Sequence, residues 1–152
     1  TVVGPGAGFY PGINATMAQV GELTPTLVAI CAYASSPSRL TGIAHLRGHE
    51  TNRLAALVAE INRAGGHAEE TEDGLVVTPR PLHGATLSSY ADHRMATFAA
   101  ILGLATPGIA VDDVSCTSKT LPGFATMWRS VVEGRAPRSA SPHPASPREG
   151  DR

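Results

Sequence analysis

Ser88-Ser89-Tyr90-Ala91-Asp92-His93-Arg94-Met95-Ala96 sets an acid, an imidazole and a guanidinium in three consecutive positions and then turns apolar. Met95, Phe98, Ala99 and Leu102 follow at i, i+3, i+4 and i+7, the spacing of one helix face. Asp92 is therefore a candidate N-cap, its carboxylate accepting backbone N–H groups that the first turn leaves unpaired. His93 and Arg94 then project from a helix start, where the dipole is positive and anions are favoured. Two readings stand at this point. The cluster either caps a helix and leaves Arg94 in solvent, or it belongs to an anion site.

The same order recurs along the chain. A short extended segment leads to a polar cluster, and the cluster opens an amphipathic helix. The clusters hold Glu22; Glu50 and Arg53; Asp92, His93 and Arg94; and Lys119. The spacing predicts repeated strand–helix units in an α/β (α+β layered) fold. If the helices lie parallel, their N-termini share one edge, which collects dipole ends, Arg, Lys, His and Glu. That inventory suits an anionic ligand and proton transfer.

Taken in order, residues 1–12 carry too many Gly and Pro for a regular element and read as an irregular lead-in. A domain is expected over 13–133. Ile13 to Val20 is a short strand by alternation, and Thr24-Pro25 is a capped helix start with Leu27, Ile30, Cys31 and Ala34 facing the core. Arg39 to Leu46 reads as a strand around Leu40 and Ile43. Leu54, Leu57, Val58 and Ile61 form a third helical stripe, stopped by Gly65-Gly66. His67 to Thr71 and Leu75 to Thr78 are strands joined by a hairpin turn, with Asp73-Gly74 supplying positive φ. Ile109 to Val111 is a strand. A last helix follows Leu121-Pro122, with Phe124, Met127, Trp128 and Val131 on one face. Residues 134–152 are Pro, Ser, Ala, Gly and Arg with little else, and read as a disordered tail.

The 152 residues suffice for one domain with a core. A net charge of −1 without a basic run gives no sign of nucleic-acid binding. No apolar stretch could span a bilayer, and no secretory signal is visible. Cys31 and Cys116 form neither a disulfide framework nor a zinc spacing, so a reducing, cytoplasmic setting is expected. The chain starts at Thr1 inside a Gly/Pro-rich run, which predicts a piece of something longer.

Glu50-Thr51-Asn52-Arg53-Leu54, Asp92-His93-Arg94-Met95-Ala96 and Thr117-Ser118-Lys119-Thr120-Leu121-Pro122 resemble, in order and approximate spacing, the motifs of the enolpyruvyl transferases. The resemblance covers about residues 13–132. His45 to Thr51 is similar to the actinobacterial-type members, in which His often replaces a Lys at position 49. It implies two similar domains built from β/α units, of which this chain holds the later part of the second. It also implies transfer of the enolpyruvyl group of phosphoenolpyruvate to the 5-hydroxyl of shikimate 3-phosphate, with release of phosphate and no metal or organic cofactor.

By that resemblance Arg53 and Arg94 hold the phosphoenolpyruvate carboxylate, and Lys119 meets the phosphate and assists its departure. Glu50 is the acid–base group at the methylene carbon. Glu22 is the base for the 5-hydroxyl, by spacing alone. His49 lies near the sugar-acid substrate, and His93 is a further substrate contact. Asn52 stands where the family has Asp, which predicts a less well oriented Arg53. The missing first domain is the expected partner, so the isolated chain is expected not to turn over. The alternatives are a non-catalytic fragment and the relative acting on UDP-N-acetylglucosamine.

Overall fold

The computed structural model describes residues 10–134. Most of the predicted lead-in and nearly all of the predicted tail lie outside the described residues. The element order is β1 (Asn14–Thr16), α1 (Thr24–Cys31), β2 (Ser38–Thr41), α2 (Arg53–Arg63), β3 (His67–Thr71), β4 (Gly74–Thr78), β5 (Thr86–Leu87), α3 (His93–Leu102), β6 (Ala110–Val111) and α4 (Phe124–Val132). Short 3-10 turns at Gly21–Leu23, Ala44–Gly48 and Ser115–Lys119 precede α1, α2 and α4.

The first sheet runs β1-β2-β4-β3. β1 and β2 are parallel, with Ala15 opposite Leu40, and α1 is their crossover. β2–β4 and β4–β3 are antiparallel. β5 and β6 pair in parallel, with α3 as their crossover. β5, α3, β6 and α4 thus repeat the order β1, α1, β2 and α2, down to the 3-10 turn ahead of the second helix. This is the α/β repetition expected from the sequence. The starts of α1, α2 and α3 each follow a strand end, and this places their polar residues together.

The core lies between the first sheet and the helices. Leu40, Ile43, Leu46, Leu54, Leu57, Ile61, Leu75, Leu87, Met95, Phe98 and Leu102 are all buried. Each such side chain contributes roughly 1.5–3 kcal/mol through burial. The stripes of α2 and α3 fall as their spacing predicts, apart from half-buried Val58, and α3 packs on α1.

Five local expectations need correction. In α1 the buried face is Val28, Ala29 and Cys31, while Ile30 is 44% exposed. Leu27 to Ala32 are apolar without interruption, so periodicity does not single out a face there. Thr24 is not a cap: the 3-10 turn runs straight into α1, and the buried Thr24 hydroxyl has no partner. The strand predicted over Arg39–Leu46 is found as Ser38–Thr41, because the chain turns at Gly42 with φ +76°. The β3–β4 turn contains no residue of positive φ. Gly74 is needed there for another reason. A Cβ on it would lie 1.9 Å from the Leu40 carbonyl oxygen of the neighbouring strand. On α4 Phe124 is buried and Trp128 half-buried, but Met127 and Val131 are exposed.

Candidate active site

Arg53 is the first residue of α2, yet its side chain is only 3% exposed. Its Nε donates to Asp92 Oδ2 at 2.6 Å, and its Nη1 donates to both carboxylate oxygens of Glu22 at 3.1 and 3.0 Å. Glu50 Oε2 is 3.7 Å from Nη2. His49 Nδ1 lies 3.1 Å from Nη1 and 3.2 Å from Glu22 Oε1. A ring nitrogen that accepts from Arg53 cannot also donate to Glu22, so the His49 tautomer decides which of the two contacts is the hydrogen bond. Three chain segments therefore converge on one guanidinium: the turn before α1, the start of α2 and the start of α3.

Asp92 has two tasks. Its backbone is extended, and Oδ1 accepts from the Arg94 N–H at 2.8 Å, capping α3 as the sequence predicts. Its Oδ2 takes the Arg53 Nε, and Oδ1 also accepts from Arg53 Nη2 at 3.4 Å, so both oxygens orient Arg53. Asn52 takes no part: its Oδ1 accepts from the Ala55 N–H at 3.2 Å and caps α2. The expected loss of Arg53 orientation at position 52 is not found, because Asp92 and Glu22 do the orienting.

Arg94 is half-buried. Nη1 donates to the Glu22 carbonyl at 2.8 Å. Nε is 2.5 Å from Glu22 Oε2, but its N–H is not aimed at that oxygen, so the contact is ionic and Nε lacks a hydrogen bond. One carboxylate, that of Glu22, is thus held between two guanidiniums. Partial burial pushes the Glu22 carboxyl up, but Arg53 and Arg94 outweigh it and hold the group below its usual value. Burial likewise lowers Arg53, and Asp92 and Glu22 more than restore it, leaving it above its usual value.

His93 Nδ1 stands 3.5 Å from Glu50 Oε2. Glu50, Asp92 and His93 have ligand atoms within 4.8 Å of one another, but the Asp92 charge is already committed to Arg53. Six of the seven expected site residues are therefore in contact. The seventh, Lys119, is exposed at the end of its 3-10 turn, and its ammonium has no partner among the described residues. Its turn packs on α3. The apolar groove between α3, β6 and α4, lined by Ala99, Gly103, Val111, Phe124 and Trp128, contains none of the seven.

Sequence reasoning did not find Glu60 or Tyr90. Glu60 is fully buried on α2; its Oε1 accepts from Tyr90 Oη at 2.8 Å, and Oε2 from the Ser88 N–H at 3.1 Å and Arg63 Nε at 3.0 Å. Tyr90 and Ala91 both have φ +54°. Left-handed backbone in such residues costs on the order of 1 kcal/mol each and persists only where surroundings impose it. The available signal was Glu60 lying seven residues after Arg53, on the same side of α2 as Leu57.

Strand–helix units that gather acids, imidazoles and arginines at their helix starts define an α/β domain built around a charged cluster. The profile of the EPSP synthase family (3-phosphoshikimate 1-carboxyvinyltransferase) matches residues 2–128. The chain is 54% identical over 132 residues to the 3-phosphoshikimate 1-carboxyvinyltransferase of Kocuria rhizophila, covering 87% of this chain and 29% of that protein. It is 57% identical over 127 residues to the enzyme of the same name from Mycobacterium ulcerans, covering 82% of this chain and 30% of the relative. The solved EPSP synthase of Acinetobacter baumannii superposes with a TM-score of 0.72 at 26% identity, over 78% of this chain and 29% of that one. The chain belongs to the EPSP synthase family. It spans about three-tenths of the length of the relatives it matches. Among the described residues no helix is long and apolar enough to cross a membrane.

Proposed function

We propose that this segment supplies one wall of an active site that transfers the enolpyruvyl group of phosphoenolpyruvate to the 5-hydroxyl of shikimate 3-phosphate, giving 5-enolpyruvylshikimate 3-phosphate and phosphate. The observation that carries this reading is the Glu22 carboxylate lodged against Arg53 Nη1 at 3.0 Å and Arg94 Nε at 2.5 Å. Two guanidiniums that hold a carboxylate of the protein can hold the carboxylate of phosphoenolpyruvate in its place.

That exchange also prepares the chemistry. While Glu22 is paired with both arginines it is a weak base. Once the substrate carboxylate takes the arginines, the interactions that depress Glu22 weaken, and it can accept the proton of the 5-hydroxyl. Glu50 protonates the methylene carbon as the hydroxyl oxygen attacks C2, giving a tetrahedral adduct. The C2–oxygen bond to phosphate then breaks beside Lys119, the leaving phosphate takes up the proton that Glu22 removed from the hydroxyl, and a methyl proton returns to Glu50. His49 and His93 contact substrate at the rim. Around Arg53 and Arg94 stand three carboxylates, Glu22, Glu50 and Asp92, so with all three ionised the cluster carries a net negative charge and does not by itself offset the charge of a phosphorylated substrate. The remaining cationic groups come from the part of the relatives that this chain does not match, and the 152 residues alone are inactive.

The test is to splice this chain in place of the matching 127 residues of the Mycobacterium ulcerans relative. The spliced protein should release phosphate only with both substrates present. Arg94→Ala should lower kcat/KM by at least about 100-fold. A folded but inactive splice would overturn the proposal and favour a non-catalytic fragment. Turnover by the isolated chain would overturn the requirement for the remainder.

A further inference from the structure

We infer that Glu60 is a positioning residue for the arginine pair, acting through the Ser88–Asp92 turn; the inference rests on the transferase reading above. Glu60 and Arg53 are seven residues apart on α2 and so lie on one side of the helix, two turns apart. Each grips the β5–α3 connection at a different point. Arg53 holds Asp92 at its end, and Glu60 holds the Ser88 N–H and the Tyr90 hydroxyl at its start. Asp112 adds a third grip, accepting from the Ser89 N–H at 2.8 Å.

Between these grips lie Tyr90 and Ala91, both in the left-handed region. Ala91 has no polar side chain with which to hold itself there. A released turn would relax toward ordinary backbone angles and carry the following residues with it. Those residues are Asp92, His93 and Arg94. Glu60 touches none of the groups proposed to meet substrate. It is nonetheless a fully buried carboxylate with both oxygens occupied, and it makes two of the side-chain contacts that hold the turn from outside, beside the turn's own bond from the Asp92 N–H to the Ser89 carbonyl at 2.9 Å. A buried acid at that depth is costly unless its partners are specific, and here Arg63 Nε offsets the charge while the backbone and side chain of the turn take the remaining hydrogen bonds.

The test uses the spliced protein with Glu60→Ala, Glu60→Gln and Tyr90→Phe. The amide of Gln can still accept from Ser88 and donate to the Tyr90 oxygen. Glu60→Ala should lower kcat/KM for phosphoenolpyruvate by about 100-fold, mainly through a higher KM for that substrate. Glu60→Gln should recover at least about tenfold of this loss, as expected when one hydrogen-bond set is restored. A general loss of fold would instead lower kcat with both KM values unchanged, and would overturn the inference. If Glu60→Ala does not fold, Tyr90→Phe decides: a raised KM for phosphoenolpyruvate supports the inference and an unchanged one sinks it.

An inactive wild-type splice would count against the transferase reading alone. Amide hydrogen exchange on the same proteins then decides the positioning. Exchange across residues 88–95 should speed up by about tenfold in Glu60→Ala or Tyr90→Phe, with Leu57 and Ile61 of α2 unchanged. Equal exchange in the variants and wild type would overturn it.

Discussion

Arg53 Nε and Asp92 Oδ2 lie 2.6 Å apart with both side chains almost wholly out of solvent, and the bond joins the first turn of α2 to the first turn of α3. Asp92 also caps α3. Removing either partner leaves the other charge buried. Asp92→Ala is therefore expected to cost about 3–5 kcal/mol in urea unfolding, the range for breaking a buried pair. Arg53→Ala should be similarly damaging. The double variant should cost less than the sum, since no lone charge remains. Additive losses would mean that the pair is not coupled.

Gly74 and Gly48 make a controlled comparison. Alanine at 74 would place its Cβ 1.9 Å from a backbone oxygen, whereas alanine at 48 meets nothing within 4 Å. Gly74→Ala should destabilise by more than about 3 kcal/mol, beyond ordinary overpacking, because neither strand can give way without breaking pairs. Gly48→Ala should stay within about 1 kcal/mol of wild type. Thermal unfolding of the two variants checks this, and similar melting temperatures would refute the close approach of β4 to β2.

Tyr90 should ionise far above an ordinary tyrosine. Burial, then its hydrogen bond to Glu60 and the Glu60 charge, push its phenol up to about 12 from 10.0. The folded protein keeps this proton while the unfolded chain loses it. Stability from this group is therefore intact below pH 10 and is lost as pH rises toward 12. A difference phenolate titration between wild type and Tyr90→Phe isolates the group from Tyr10 and Tyr33. Glu60→Gln should move it back toward the ordinary value; no movement would mean that the hydrogen bond does not set it.

What was legible in the sequence follows from how it was encoded. The α2 and α3 stripes were readable because polar residues flank them and leave one apolar face. The α1 face was not, since Leu27 to Ala32 offer several equivalent faces. The β3–β4 turn was placed correctly, but Gly74 was assigned the wrong physics, because a clash with a neighbouring strand leaves no local signal. Six site residues come together as expected, since each sits at a helix start that the repeated β/α order brings to one edge. Asn52 misled because position in a motif does not reveal which oxygen reaches Arg53. Glu60 stayed hidden because, apart from Arg63 one helical turn on, its partners are a backbone N–H and a phenol some thirty residues away.

Glu22 gives the most direct test of the site's electrostatics. Despite partial burial, Arg53 and Arg94 hold its carboxyl below the usual value of 4.5. A depressed folded value stabilises the protein above the unfolded value, and that contribution is lost as pH falls through the folded one. Unfolding measured from neutral pH down to the acid side of 4.5 should therefore show a drop that Glu22→Gln reduces. The effect should stay under about 1 kcal/mol, because Glu22 is half-exposed and screened. In the spliced protein the same substitution should lower the KM for phosphoenolpyruvate, since a neutral amide competes weakly for two guanidiniums. It should also lower kcat by about 100-fold or more through loss of the proposed base. A raised KM with unchanged kcat would show that Glu22 neither occupies the substrate's place nor takes its proton.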